Sequence, residues 1–543
     1  MADLNAATTF FRIDSVHRLI TRLLLAAVAL CGVTHLALLP PWEGFDEYAH
    51  WSSIQQIADT GTVPFYGRDR VSIDVDGYPG PMPYASAPPF DETGRLTYRS
   101  FRDLGHPALP ESVDRGFRPG RELNWQAQHP PLYYMVLAPA YHLTKSLSWT
   151  RHLLVLRSLS WTFAFAGLAL GVLATERWAA AKGSRVAPFM AAYPFLVPQF
   201  FPEMARLGND GLCLLIAGAA WFLLLNILAE KPGVWAAPAL GLVLGLGLLT
   251  KAFFLPITVG VTAFLALRWL LQRQRVHARH LLLCATVAAT VGAAWYLRNL
   301  LLFDNLLGTN DFIRLAHGVG LRAGLEQNFS LPAYARGLAA IAGTYIWAGS
   351  WSLAQPPEYL LVPPALLILL TLAAWLSGLQ RCRFVEKPAQ WLPLFLVVPV
   401  AGGLAYHLLT AIAETGRGAG TPGWYLHILA APISFAMATG WERLRSQRFR
   451  RAALRFLAVG SIALGLVGHG MQLALFSGCA VKAGTNKYYD LATDACWVDW
   501  TQLSELGFPW VGLLSLAFGS SLGMAAALLG LRTPAPRDAV RAA

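Results

Sequence analysis

Charge is scarce in this chain. Only 14% of its 543 residues are Asp, Glu, Lys or Arg, against 55% hydrophobic, and the mean hydropathy is +0.44. A water-soluble fold of this length exposes far more polar surface, so that class is excluded. The alternating apolar and polar strands of an outer-membrane barrel are missing too. So are zinc-type Cys/His spacings, a P-loop and a dinucleotide-binding fingerprint. Acids are the scarcer sign, 31 against 43 Lys and Arg, for a net charge of +12. In a soluble protein that excess would suggest nucleic acid. Here the cations sit in short loops between apolar runs and at the C-terminus, which is the cytoplasmic orientation signal, and no nucleic-acid partner is expected. Cysteine is sparse, six in all. Cys31, Cys213 and Cys284 fall in apolar runs and read as packing residues, and Cys382 lies in a basic loop. Cys479 and Cys496 bracket a polar loop and would pair if that loop faces an oxidising compartment. The first apolar run is too long, and lacks the cleavage site, for a signal peptide.

Apolar runs of about twenty residues are what the chain has in plenty, each long enough to cross a hydrocarbon core as a helix. They fall near 19–40, 152–176, 185–202, 210–229, 233–250, 252–271, 281–301, 358–379, 390–412, 423–441, 453–475 and 508–531, with weaker runs at 130–146 and 332–351. The fold class is therefore an all-α polytopic membrane protein of about 12–14 transmembrane helices. Arg12, Arg18 and Arg22 put the leader, residues 1–18, in the cytoplasm. The basic loops at Arg177/Lys182/Arg185, Arg268–Arg279, Arg381–Lys387 and Arg443–Arg455, with Arg532, Arg537 and Arg541, all fall inside if there are about twelve crossings and the two weaker runs do not cross. That topology gathers the polar segment 41–151, the Asn209-Asp210 turn, Lys251, Arg298 and the loops 302–357, 413–423 and 479–496 on the non-cytoplasmic face. Residues 41–128 form a long Pro/Gly-rich, aromatic loop with no spanning run, and such loops are usually functional.

The polar loop opens with Pro40-Pro41-Trp42-Glu43-Gly44-Phe45-Asp46-Glu47-Tyr48-Ala49-His50-Trp51. Asp46, Glu47 and His50 stand at the end of a membrane helix, where desolvation raises a carboxyl pKa and strengthens charge contacts. Asp46 and His50, four apart, would share one face of a helix starting there. An interfacial loop whose acids simply face water is the competing reading. Lys251 and Arg298, at helix ends, are either anion contacts or cations snorkelling to the headgroups. The 19 tryptophans and 17 tyrosines read mostly as interfacial belt residues, with those near Trp42 and Trp125 able to stack on sugar rings.

A DE-x-x-H segment just after the first span, followed by Gln55-Gln56 and Gly61-Thr62-Val63-Pro64, resembles the first extracytoplasmic loop of the GT-C superfamily. These are polytopic glycosyltransferases using polyprenyl-phosphate sugars, such as the protein O-mannosyltransferases and the aminoarabinose transferases. His129-Pro130-Pro131-Leu132-Tyr133-Tyr134, Arg157-Ser158-Leu159-Ser160, Arg206-Leu207-Gly208-Asn209-Asp210-Gly211, Gly245-Leu246-Gly247-Leu248-Leu249-Thr250-Lys251 and Trp295-Tyr296-Leu297-Arg298-Asn299 are similar to further family motifs, in order. The resemblance covers about the first 310 residues. It departs in the inserted stretch 65–125 and in the late Pro422-Gly423-Trp424-Tyr425-Leu426-His427, which lacks the family's arginine; Arg417 is the nearby substitute.

The resemblance implies a catalytic transmembrane module at 19–310, a variable C-terminal region at 311–543 with an extracytoplasmic loop at 476–507, and an inner-membrane protein working on its extracytoplasmic face. It implies transfer of a sugar from a polyprenyl-phosphate donor to a glycan, lipid or protein acceptor, with inversion. A carboxylate takes the acceptor proton while cations steady the departing phosphate. Asp46 is the candidate base with Glu47 beside it, Asn209 and Asp210 the second acidic motif, and Lys251 and Arg298 the phosphate contacts. His50, His129, Tyr133, Arg417, Tyr425 and His427 are candidate substrate contacts. No metal or other cofactor is expected. A transporter or flippase of a lipid-linked glycan is the alternative. It would normally show internal repeats and mid-membrane broken helices, and neither is evident. A non-catalytic scaffold is a third reading.

Overall fold

The computed structural model describes residues 2–85, 87–90, 94–113, 116–180, 186–229, 233–308, 318, 320–418, 420–444, 461–482, 489–491 and 496–532. The expected cytoplasmic cations Lys182, Arg185, Arg537 and Arg541, the run from 445 to 460 and parts of the 476–507 loop lie outside them.

The described residues are mostly helical. Among the described residues eight helices are long and apolar enough to cross a membrane: Ser15–Leu38, Trp149–Ala179, Asp210–Ile227, Phe254–Gln272, Arg275–Phe303, Tyr359–Leu379, Pro388–Thr415 and Pro509–Leu531. Other runs that the sequence marks as spans are shorter or broken. The run at 185–202 splits into α7 (Ala187–Leu196) and α8 (Phe200–Ala205), because Pro198 supplies no N–H to a helical ladder. The run at 233–250 gives only α10 (Ala236–Leu248), which at 1.5 Å per residue is about 20 Å long. The run at 423–441 begins as a 3₁₀ segment, Gly423–Leu429, before its α-helix Ala430–Arg443. The weaker runs are the helices Leu132–Thr144 (α5) and Leu331–Ile346.

Numbering in chain order begins with α1 (Ala2–Leu38), which packs along the last helix, Pro509–Arg532. α6 (Trp149–Ala180) lies against α9 (Asp210–Ile227), and α10 against α12 (Arg275–Phe303), with α11 (Phe254–Gln272) between spans. The α6–α9 seam is tight because glycines line it. A Cβ on Gly167 would meet the Leu214 carbonyl oxygen at 2.3 Å, and one on Gly218 the Gly167 oxygen at 2.2 Å. Backbones can approach this closely only where side chains are absent, the usual device for packing helices in lipid. The consequence is functional: the seam fixes the N-terminus of α9, where Asp210 stands.

The 41–128 segment is a folded cap. α2 (Glu47–Thr60) packs on α5 and is buried over most of its length. Beside it an antiparallel pair, Arg70–Ser72 with Pro119–Leu123, and the short helices α3 (Ile73–Asp76) and α4 (Tyr98–Asp103) form the body of the insertion. Trp42, Trp51, Tyr78 and Trp149 cluster edge to face beneath it. This aromatic burial, rather than regular secondary structure, holds a Pro/Gly-rich segment in place.

Candidate active site

The loop leaves α1 at Leu38 and is pinned by two carboxylates that flank Asp46. Glu43 is fully buried. Tyr98 (2.6 Å), Ser352 Oγ (2.5 Å), Ser350 Oγ and the Ser352 N–H (3.2 Å) all donate to it. Glu47 is also fully buried, and Arg157 from α6 forks onto it, Nε to Oε1 at 2.7 Å and Nη2 to Oε2 at 2.5 Å. The N–H groups of Leu207 and Trp42 complete its shell at 3.0 and 3.2 Å. Arg157 spends its remaining donors on the Leu39 and Pro40 carbonyls. Every oxygen of these two acids is thus occupied by protein.

Asp46 differs. It caps the N-terminus of α2 from the left-handed region, at φ 59°, and its side chain makes no capping bond. A non-glycine residue held there is a mark of functional constraint. Glu43 and Glu47 on either side supply the restraint. Among the described residues, the hydrogen-bond partner of its carboxylate is Gln126, whose Nε2 donates to Oδ2 at 3.0 Å. Asp46 is half-buried, and burial pushes its carboxyl up to about 6, against the opposing pull of the Arg206 and Lys251 charges. The neighbouring Asp210 pushes it further up.

Those neighbours form a chain of charges. Lys251 Nζ meets Asp210 Oδ1 at 2.7 Å, Arg206 Nη2 meets Asp210 Oδ2 at 2.8 Å, and Arg206 also pairs with Glu203. All four side chains are buried. Gly44 lets the first loop close over this chain, since a Cβ there would lie 2.7 Å from the Arg206 Cβ. The Lys251 ammonium also sits between the rings of Phe253 (4.9 Å) and Tyr425 (4.8 Å). An aromatic wall continues from Phe253 through Tyr425 and Trp424 to Phe45, which stacks on Trp424 at 4.4 Å. On the other side His50 Nδ1 shares a hydrogen bond of 3.0 Å with the Tyr134 hydroxyl, and its ring lies parallel to that of His129. Burial lowers the affinity of both imidazoles for protons, His129 to about 3, so both are neutral.

Some polar atoms have no partner. Both amide atoms of Asn209, Nε and Nη1 of Arg206, Oε2 of Glu203 and Oε1 of Gln126 are buried and unbonded among the described residues.

The structure therefore brings together Asp46, Asn209, Asp210, Lys251, His50, His129 and Tyr425. Tyr133 stands behind them, its hydroxyl 2.7 Å from Ser160 Oγ. His427 stacks on Tyr345 (5.0 Å) in a layer beneath the wall. Arg298 is brought elsewhere. Its guanidinium covers Trp295 (4.5 Å) and Phe65 (5.4 Å) and donates to its neighbour Asn299. The last turns of α12 carry it to the rim, away from the charge chain. Arg417 is exposed on the short loop after Thr415. Cys479 and Cys496 are paired as expected, Cα atoms 5.4 Å apart, with Arg102 of α4 donating to the Cys496 sulfur at 2.7 Å.

Sequence reasoning missed Glu203 and Gln126. Glu203, Arg206 and Asp210 stand at spacings of three and four, a signal for one helical face. Gln126 left none, because it reaches Asp46 through the fold of the cap.

No family model matches the sequence, and no curated protein matches it. Two solved structures match its fold. Against ArnT from Cupriavidus metallidurans in the apo state the TM-score is 0.46 at 14% identity, over 93% of this chain and 76% of that one. Against the same protein bound to undecaprenyl phosphate the TM-score is 0.45 at 13% identity, over 93% and 75%.

Proposed function

We propose that this membrane protein is an inverting glycosyltransferase that moves a sugar from a polyprenyl-phosphate donor to an extracytoplasmic acceptor, with Asp46 as general base. One observation carries the reading. Asp46 is a half-buried carboxylate with one hydrogen-bond partner, Gln126, among the described residues, beside two buried cations, while the acids flanking it in sequence are fully bonded.

The steps follow from the geometry. A carboxyl raised to about 6 is mostly ionised at neutral pH yet basic enough to take a hydroxyl proton. The acceptor oxygen, losing that proton to Asp46, forms its bond to the anomeric carbon as the bond to the phosphate oxygen breaks. Inversion follows from a single displacement. The two cations of the charge chain, Arg206 and Lys251, steady the charge that grows on the departing phosphate. Glu47 has no free oxygen to offer substrate, so its role in this reading is to hold the adjacent Asp46 in place. The aromatic wall from Phe253 to Phe45 gives a sugar ring or the first isoprene units an apolar face. The two protein cations do the electrostatic work here, and the reaction runs without a metal.

Asp46→Asn tests this directly. Sugar transfer from a polyprenyl-phosphate donor in membranes should fall by at least about 100-fold, the usual contribution of a general base, with insertion and expression unchanged. Chelator should leave the wild-type rate unaltered. Retained transfer in the variant would sink the assignment, and loss of glycan translocation with no transferase activity in the wild type would favour a flippase.

A further inference from the structure

The charges around Arg206 do not balance for an enzyme that binds an anion. Three carboxylates, Asp46, Asp210 and Glu203, share two cations, Arg206 and Lys251. Both cations are already committed to the acids, and a phosphate would bring a further negative charge into a buried site. Charge that is taken out of water without compensation is expensive, and a carboxyl in such a place neutralises instead.

Glu203 is the carboxyl placed to do so. One oxygen accepts from Arg206, while Oε2 is buried without a partner. Its carboxyl and that of Asp210 accept from the same nitrogen, Arg206 Nη2, which holds the two acids close together. Two ionised acids repel at that range, whereas one proton between them makes an O–H···O bond. The other neighbours of α8 do not compete for the role. From α1 it meets the His35 ring stacked on Phe201, from α6 the Trp161 ring, and from the 423–429 segment the Tyr425 hydroxyl, which feels the Glu203 charge.

We propose that the donor-binding form of the site carries a proton on Glu203, so that neutral Glu203 donates to Asp210 and frees the Arg206 guanidinium for the donor phosphate. The inference rests on the polyprenyl-phosphate reading above. The proton comes from solvent and forms one O–H bond at Glu203 Oε2; no other bond changes. Glu203 is a positioning residue, acting through Arg206 and Asp210. Because one proton is taken up with the anion, affinity falls about tenfold per pH unit once the pH exceeds the value at which free Glu203 ionises.

Binding of farnesyl phosphate to the full-length protein in nanodiscs, measured between pH 6.5 and 9.5 with farnesol as the phosphate-free counterpart, tests this. Wild type should lose affinity for the phosphate toward high pH and show no such trend with farnesol. Glu203→Gln, which keeps a hydrogen-bond donor and is permanently neutral, should hold its neutral-pH affinity across the range, and Asp46→Asn, which removes one of the three negative charges, should keep a downward trend that begins at lower pH. A Glu203→Gln curve that weakens in parallel with wild type overturns the role of Glu203 while leaving the donor reading intact. So does a trend that vanishes in Asp46→Asn. Failure of wild type to prefer farnesyl phosphate over farnesol at neutral pH overturns the donor reading, and this inference with it. Should Glu203→Gln not fold, the wild-type and Asp46→Asn curves still decide, since a flat wild-type curve overturns the proposal.

Discussion

Two acidic regions lie a few residues apart in this protein and are treated in opposite ways. Around Glu43 and Glu47 every carboxylate oxygen is met by a side chain or an N–H, and the partners come from α4, α6 and the Ser350–Ser352 segment. Around Asp46, Glu203 and Asp210 the acids crowd two cations, and Arg206, Asn209, Gln126 and Glu203 keep buried atoms without partners. Saturated acids make joints. The others crowd around shared cations, and the joints hold them in place. The left-handed Asp46 backbone is the point where the two regions meet, since strain there persists only because its neighbours are bolted down.

The comparison can be broken most sharply at Glu47. Glu47→Gln leaves Arg157 as a buried charge without its counter-ion, and about 3–5 kcal/mol of stability should be lost, read as reduced folded yield and a lower Tm in detergent. A variant as stable as wild type would mean that the joint is not one.

At Asp46 stability and activity should move in opposite directions. Transfer rate at limiting donor should fall about tenfold per unit as pH drops below about 6, because the base is then protonated. For stability the folded-state value is raised above the ordinary 3.8, so between 3.8 and about 6 the folded state holds more protons than the unfolded one. The stability of the neutral form is present below that window and lost as pH rises through it. Asp46→Asn should therefore melt above wild type at neutral pH, the reverse of Glu47→Gln. A lower Tm would show that Asp46 belongs with the joints.

Smaller effects sharpen the boundary. Tyr98→Phe removes one of the donors to Glu43 and should cost about 1–2 kcal/mol of stability, with the transfer rate per folded molecule kept. Arg298→Ala, which removes a half-buried guanidinium resting on Trp295 and Phe65, should change transfer by less than about tenfold, since a cation–π contact is worth about 0.5–2 kcal/mol and no contact among the described residues ties it to the charge chain. A loss as large as that of Asp46→Asn would return Arg298 to the phosphate.

The amino-acid sequence determined that this is a polytopic helical membrane protein, because long apolar runs have no other stable solution in lipid. It also marked Asp46, Asp210 and Lys251, whose charges stand out at the ends of apolar segments. The tyrosines, histidines and carbonyl-rich turns around them were visible as motifs. Which of two adjacent acids is bound by a cation was not. Asp46 and Glu47 are equivalent as letters, and only the crossing of α6 behind the loop, delivering Arg157, ties down Glu47 and not Asp46. The same holds for the cations. Lys251 and Arg298 look alike at helix ends, but the packing of α10 on α12 puts one beside Asp210 and the other against aromatic rings. Gln126 carried no special signal, because the carboxylate it meets is distant along the chain. Charge and hydropathy are local properties of a sequence; whether a charge is satisfied depends on what the fold places within about 3 Å of it.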